Sequence, residues 1–286
     1  MKKILTICCM LCLFGSCSQQ KNSKEQEGED LSIEENLLSG TEDSFPDSLL
    51  IVTDTLPATV DNSFDDFFYN FVTDSVFQLK RVSFPIYFFE QQKANKITAQ
   101  QWKYLPLFSV MPAYNIIFDR AEDMWVEKDT SQEKVQVEEI YLQNKQMKQY
   151  TFQKKNGLWL LASIQMLTTK NYEEEGEDFL DFYVQFARDS VFQRQRLYNP
   201  LAFVTPDPED EFKIFETVLD EGQWFAFRPP IATDVLTNIL YGQTNNSSSR
   251  TKIVEFRGFG NGFNNILHFE KMKGIWKLVR FEDLSD

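Results

Sequence analysis

Phe64-Asp65-Asp66-Phe67-Phe68-Tyr69-Asn70-Phe71, followed by Asp74-Ser75-Val76-Phe77-Gln78, Arg81 and Pro85, is a stretch that the chain contains twice. It returns 115 positions later as Phe179-Leu180-Asp181-Phe182-Tyr183-Val184-Gln185-Phe186, Asp189-Ser190-Val191-Phe192-Gln193, Arg196 and Pro200. Eleven of the 23 aligned positions are identical, too many for chance, so the sequence predicts a duplicated fold. In each copy the aromatic residues fall at i, i+3, i+4 and i+7, the apolar stripe of an amphipathic helix. Ser63 and Asp66 in one copy, and Glu177, Asp178 and Asp181 in the other, supply capping oxygens and first-turn negative charge. Asp74-Ser75 and Asp189-Ser190 then read as a break and the N-cap of a second, shorter helix. That helix ends before Pro85 and Pro200, where a turn or strand begins.

The spacing of Asp74, Gln78 and Arg81, and of Asp189, Gln193 and Arg196, places each trio on one helical face. Such a face could line a ligand site. Its presence in both copies favours a local role instead: a cap, an amide hydrogen bond, and an Arg on the helix-terminal carbonyls. A fold constraint acts on both copies, whereas a ligand site needs only one.

Two further blocks recur. Ile97-Thr98-x-x-Gln101-Trp102 with Pro106 matches Leu219-Asp220-x-x-Gln223-Trp224 with Pro229, each a short capped helix. The offset there has grown by seven residues, which reads as a loop insertion near Thr205-Pro206-Asp207-Pro208. The stretch Tyr150 to Trp159 matches Leu267 to Trp276, with Asn156-Gly157 and Lys273-Gly274 as hairpin turns. Val135 to Leu142 and Lys252 to Arg257 supply the preceding strands. The predicted order is helix, helix, strand, short helix, then three or more antiparallel strands, over 61–168 and again over 169–286. This order resembles the nuclear-transport-factor-2-like family, in which a curved sheet wraps helices as a cone and leaves an apolar cavity. The resemblance implies an α+β fold of two tandem cone-like parts. Cones of that family often pair through their sheets, so duplication would allow pairing within one chain.

The N-terminus carries a different message. Lys2 and Lys3 precede an apolar run from Ile4 to Phe14, too short to span a ~30 Å hydrocarbon core, which takes about 20 helical residues. It has the length of a signal-peptide core. Leu13-Phe14-Gly15-Ser16-Cys17 resembles a bacterial lipobox, with Phe14 where that pattern usually has Leu. The resemblance implies a leader over 1–16, cleavage before Cys17 and lipid attachment there. All four cysteines (Cys8, Cys9, Cys12 and Cys17) lie in this segment, so the mature chain keeps one, blocked by lipid. Residues 17–60 read as a tether: from Ser18 to Val60 ten acidic residues face only Lys21 and Lys24, a composition that cannot offset its ordering entropy. Asp47-Ser48-Leu49, Asp54-Thr55-Leu56, Asp74-Ser75-Val76 and Asp189-Ser190-Val191 resemble a short bacterial O-glycosylation motif. Lipobox, tether and tandem cones together resemble a group of Gram-negative surface lipoproteins, which implies an outer-membrane lipoprotein of the cell envelope.

Composition excludes several chemistries. A formal net charge of −14 repels nucleic acid and anionic headgroups. With His268 the only histidine, on a strand, and no free Cys, His-rich metal sites and Cys–His nucleophiles are ruled out, and no metal or cofactor is expected. Gly258-Phe259-Gly260-Asn261-Gly262 lies between strand-like runs and reads as a hairpin, not a phosphate loop. Cavity enzymes of the cone type use a buried carboxylate, and Asp119 and Asp123, beside Trp125 and after Tyr114, are weak candidates for proton transfer, dehydration or hydrolysis. The favoured function is non-enzymatic: a lipid-anchored module binding a small apolar ligand or an envelope protein. Such a function should lie where the copies differ: Tyr114 to Trp125, the Pro206–Pro208 insertion, and the cavity mouths.

Overall fold

The computed structural model describes residues 60–169, 176–243, 246 and 248–286. The leader, Cys17, the tether and the motifs at Asp47 and Asp54 lie outside the described residues. The first copy runs α1 (Phe64–Thr73), α2 (Ser75–Lys80), β1 (Val82–Glu90), β2 (Lys93–Ile97), β3 (Ala113–Phe118), β4 (Lys134–Tyr141), β5 (Gln146–Lys155) and β6 (Leu158–Thr168). Short 3-10 helices at Ala99–Gln101, Leu107–Val110 and Ala121–Lys128 flank β3. The second copy runs α3 (Phe179–Arg188), α4 (Ser190–Arg196), β7 (Leu197–Asp207), β8 (Asp210–Leu219), α5 (Glu221–Phe227), β9 (Val235–Leu240), β10 (Thr251–Gly258), β11 (Asn264–Met272) and β12 (Ile275–Asp283).

The helix boundaries follow the caps. Ser63 accepts the Asp66 N–H at 3.0 Å and Asp178 accepts that of Asp181 at 3.0 Å. Asp74 and Asp189 each take two N–H groups, from Val76 and Phe77 and from Val191 and Phe192. Ser75 and Ser190 therefore sit in helix N-termini. The tight turns at Asn156-Gly157 and Lys273-Gly274 have φ of 50° and 80°, and of 52° and 83°. Both glycines occupy the left-handed region that a side chain would strain.

Three features depart from the expected layout. Each single strand between the helix pair and the short helix is a two-stranded hairpin, β1–β2 or β7–β8. The seven extra residues of the second copy lengthen that hairpin and do not form a loop. Strands begin ahead of Pro85 and Pro200, each of which follows a cis peptide bond inside β1 or β7. Nor are the sheets wholly antiparallel: β1 runs parallel to β6, and β7 to β12.

The largest departure is in strand order. One sheet reads β2-β1-β6-β5-β4-β9 and the other β3-β10-β11-β12-β7-β8. The third strand of each copy thus completes the sheet of the other. β3 and β9 also meet each other: Thr237 Oγ1 accepts the Asn115 N–H at 2.5 Å and donates to its carbonyl at 3.0 Å, and Asn238 Oδ1 accepts the Ile117 N–H at 2.8 Å. The described residues form one compact body. A further polar seam lies on the sheet, where buried Glu138 accepts from Gln149 at 2.8 Å and from Asn238 at 3.0 Å. Burial pushes the Glu138 carboxyl pKa up, against the lowering effect of those amides.

Each sheet curls around its own helix pair. Phe64, Phe67, Phe68 and Phe71 of α1 meet Phe152 and Trp159, with Phe152 at 5.3 Å from Phe64 and 5.2 Å from Phe71. Phe179, Phe182 and Phe186 of α3 meet Phe269 and Trp276 at 5.1–5.6 Å. Burying one such ring contributes ~2–3 kcal/mol, so these contacts hold helix to sheet in both copies. Among the described residues no helix is long and apolar enough to cross a membrane.

Candidate functional site

The duplicated polar trio fastens the helices to the sheet. Gln78 is fully buried; its amide donates to the carbonyls of Phe71 at 2.9 Å and Leu105 at 2.8 Å and accepts from Leu105 N–H and Trp102 Nε1. Gln193 does the same work with Phe186, Trp224 and Arg228. Arg81 grips Asp61 with both terminal nitrogens, at 2.9 and 2.8 Å, and lies 4.8 Å from the Phe77 ring. Arg196 grips Glu177 at 2.7 and 2.9 Å, 4.3 Å from Phe192. Asp61 and Glu177 in turn accept the N–H of Trp159 and Trp276. The sequence signal for these partners was faint: an acid shortly before each aromatic helix.

The unduplicated acids are placed apart. Asp119, at the end of β3, is 4% exposed and paired with Lys252 of β10. Asp123 pairs with Arg120 at 2.8 Å within the 3-10 helix. Trp125 is exposed, with Lys128 Nζ 4.2 Å from its ring. Neither acid lines the cavity described next. His268 lies on β11 with Nε2 2.8 Å from Glu282. Among the described residues no group of three or more His, Cys, Asp or Glu side chains is arranged to hold a metal.

A cavity of about 210 Å³ opens in the first copy. Its apolar walls are Phe88 of β1, Ile97 of β2, Ile164 of β6, and Trp102 and Leu105 from the segment after β2. Gln101, Lys103 and Lys148 complete the lining, so none of the eight residues is acidic. Trp102 is set by its indole N–H on Gln78 and by the edge of Phe84, 5.6 Å away. Lys148, on β5, lays its Nζ 5.1 Å from the Tyr150 ring and 6.0 Å from that of Phe88. Deeper in the sheet, Glu139 Oε2 accepts from Tyr150 at 3.0 Å and Tyr141 at 3.2 Å. Burial, then the adjacent Glu139, pushes both phenols up, Tyr141 to about 12 and Tyr150 further, so both remain hydrogen-bond donors.

The same place in the second copy carries more aromatic rings. Phe88 pairs with Ile164 across β1 and β6, and at the equivalent step of β7 and β12 Phe203 pairs with Phe281. The Phe281 ring lies 5.1 Å from Phe203 and 5.6 Å from Trp224, and Phe227 of α5 stacks on Phe203 at 6.3 Å. Lys148, Glu139 and Tyr150 are matched by Asn265, Phe256 and Leu267. Of the residues that set the cavity apart, Phe88, Lys148 and Ile164 lie just outside the aligned blocks, so the sequence comparison passed them by.

Residues 45–283 match the family described as a domain of unknown function, DUF4348. The chain belongs to this family. The match begins inside the stretch expected to be a tether. A crystal structure of an NTF2-like protein from Bacteroides fragilis, at 2.15 Å resolution, is 44% identical, with a TM-score of 0.77 over 81% of this chain and 100% of that one. This DUF4348 chain is therefore an NTF2-like α+β protein, a fold compatible with ligand binding. No curated protein matches it.

Proposed function

We propose that this protein is a lipid-anchored, outer-membrane component of the cell envelope that acts as a non-enzymatic binding module. Its ligand site is the cavity of the first copy, and the second copy serves as a scaffold. One observation carries the reading: two copies of one fold differ by an open, largely apolar space of about 210 Å³ in one and a stack of phenylalanines in the other. Concave, mostly apolar pockets with a few polar groups are the usual form of a small-molecule site. The lining has no carboxylate to act as acid or base, which favours binding over the proton-transfer chemistry of cavity enzymes.

Ile164→Phe, which copies the plug of the second copy, tests the site. Protein extracted from its own envelope should carry a small molecule, seen by native mass spectrometry, that the variant has lost while keeping its Tm. Identical spectra for both proteins would remove the cavity as the site. The anchor is tested separately: Cys17→Ala should release the protein from the membrane fraction, and continued retention would count against lipidation.

A further inference from the structure

We infer that the first-copy cavity takes an amphipathic anion, a compact apolar body ending in a carboxylate or similar group, with Lys148 as the cation that receives it. This rests on the cavity being the ligand site, and adds the charge and shape of what fills it.

The charge comes from an inversion of the protein's overall balance. The chain has 43 acidic and 29 basic residues, yet the cavity lining holds two lysines and no acid. The buried or half-buried cations Arg81, Arg196, Lys252 and Arg257 each bind a carboxylate. Lys148 has no ion pair among the described residues; its Nζ rests on the faces of Phe88 and Tyr150. Glu139 stands directly opposite Lys148 in the β4–β5 register, but Oε2 is taken by the hydroxyls of Tyr150 and Tyr141. Lys148 lines the cavity and Glu139 does not. Phe88 and Tyr150 limit how far the half-buried ammonium can retreat into water, which strengthens its attraction for an entering anion.

The size follows from the walls. A dry cavity of ~150 Å³ accommodates a benzene ring. The space here, at about 210 Å³, takes one ring with a short chain, or a medium-length alkyl chain. Trp102, Phe88, Leu105 and Ile164 receive the apolar part, and Lys148 at the rim receives the anion, with Lys103 exposed nearby. The second copy supports the pairing of the two functions: where Ile164 becomes Phe281, Lys148 becomes Asn265 and the cation disappears with it.

The experiment is calorimetry on the folded chain with four probes: octanoate, 3-phenylpropionate, 1-octanol and octylamine. The carboxylates should bind, weaken as salt is raised, and lose ~10- to 100-fold in affinity in Lys148→Met, the usual worth of one charge-assisted hydrogen bond. Lys148→Arg should restore much of the binding, and 1-octanol should bind Lys148→Met and the parent alike. If octanol or octylamine matches octanoate in the parent protein, or Lys148→Met leaves octanoate unaffected, the anion assignment is overturned while the cavity stays a site. If no probe binds, or if binding persists in Ile164→Phe, the cavity reading itself fails along with it.

Discussion

The two α+β parts share a frame and differ in what they hold. In both, an aromatic helix packs on a Trp and a Phe of the sheet, a buried Gln ties that helix to the next segment, and an Arg closes the corner on an acid. Beyond that frame the second copy continues with Phe203, Phe227 and Phe281, and the first stops short at Ile164 and Leu105. On the reading proposed above, one part supplies stability while the other gives up core volume, because the shared frame already holds each helix pair. Each sheet is completed by a strand from the other part, so both parts bear the cost of an open space.

This contrast can be broken most sharply by removing its plug. Phe281→Ala should cost ~3–5 kcal/mol, the range for a buried aromatic, and lower Tm by roughly 10 °C. Ile164→Ala, facing space that already exists, should cost about 2 kcal/mol, the low end for such a truncation. Equal losses in thermal melts would mean that the two interiors are equally filled. Asp119→Ala comes next and separates the seam from the site. It leaves Lys252, 6% exposed, without its partner and should cost ~3 kcal/mol, while probe binding below the melting range stays unchanged. Lost binding in a folded Asp119→Ala protein would restore the acid to the functional site.

The smallest effect concerns Glu138 and Glu255, which occupy matching positions in the two copies. Burial raises the pKa of both carboxyls in the fold. Between the unfolded and the folded pKa the unfolded chain has lost its proton and the folded chain keeps it, so stability falls as pH rises through that window. Glu138 has only the amides of Gln149 and Asn238, so Glu138→Gln should gain stability relative to the parent as pH rises above the ordinary carboxylate range. Glu255 also carries Arg257 at 2.8 Å, which offsets part of its burial, so Glu255→Gln should gain less than Glu138→Gln over the same rise in pH. Urea melts at acidic and neutral pH check this, and a larger gain for Glu255→Gln would contradict the contrast.

Much of this organisation was legible in the sequence because local physics sets it. The stripe Phe64-Phe67-Phe68-Phe71, the cap at Asp74 and the turn at Asn156-Gly157 depend on spacing and residue type alone. The exchange of β3 and β9 was not legible for a physical reason. Tyr114-Asn115-Ile116-Ile117-Phe118 and Leu236-Thr237-Asn238-Ile239-Leu240 have the same pattern, so either fits beside β4 or β10 and the pattern cannot choose between them. β2 was missed because Lys93-Ala94-Asn95-Lys96 is a polar edge with no alternation. The cavity was legible only as a rule that function lies where copies differ. Finding it took the pairing of Phe88 with Ile164, which the sequence does not state. The segment from Tyr114 to Trp125, expected on that same rule, supplies β3 to the other sheet and carries an exposed Trp125.

The strand exchange also bears on the order in which the protein can be made. β4 is complete once Tyr141 has been synthesised, yet its outer neighbour, β9, ends only at Leu240. At ~5–20 residues per second, those ~100 residues leave an open strand edge for roughly 5–20 s. During that interval the nascent first copy presents unpaired backbone and the apolar side chains of β4, features that invite mispairing with another chain. A half that cannot finish itself must be kept soluble, or kept extended, until its sibling arrives.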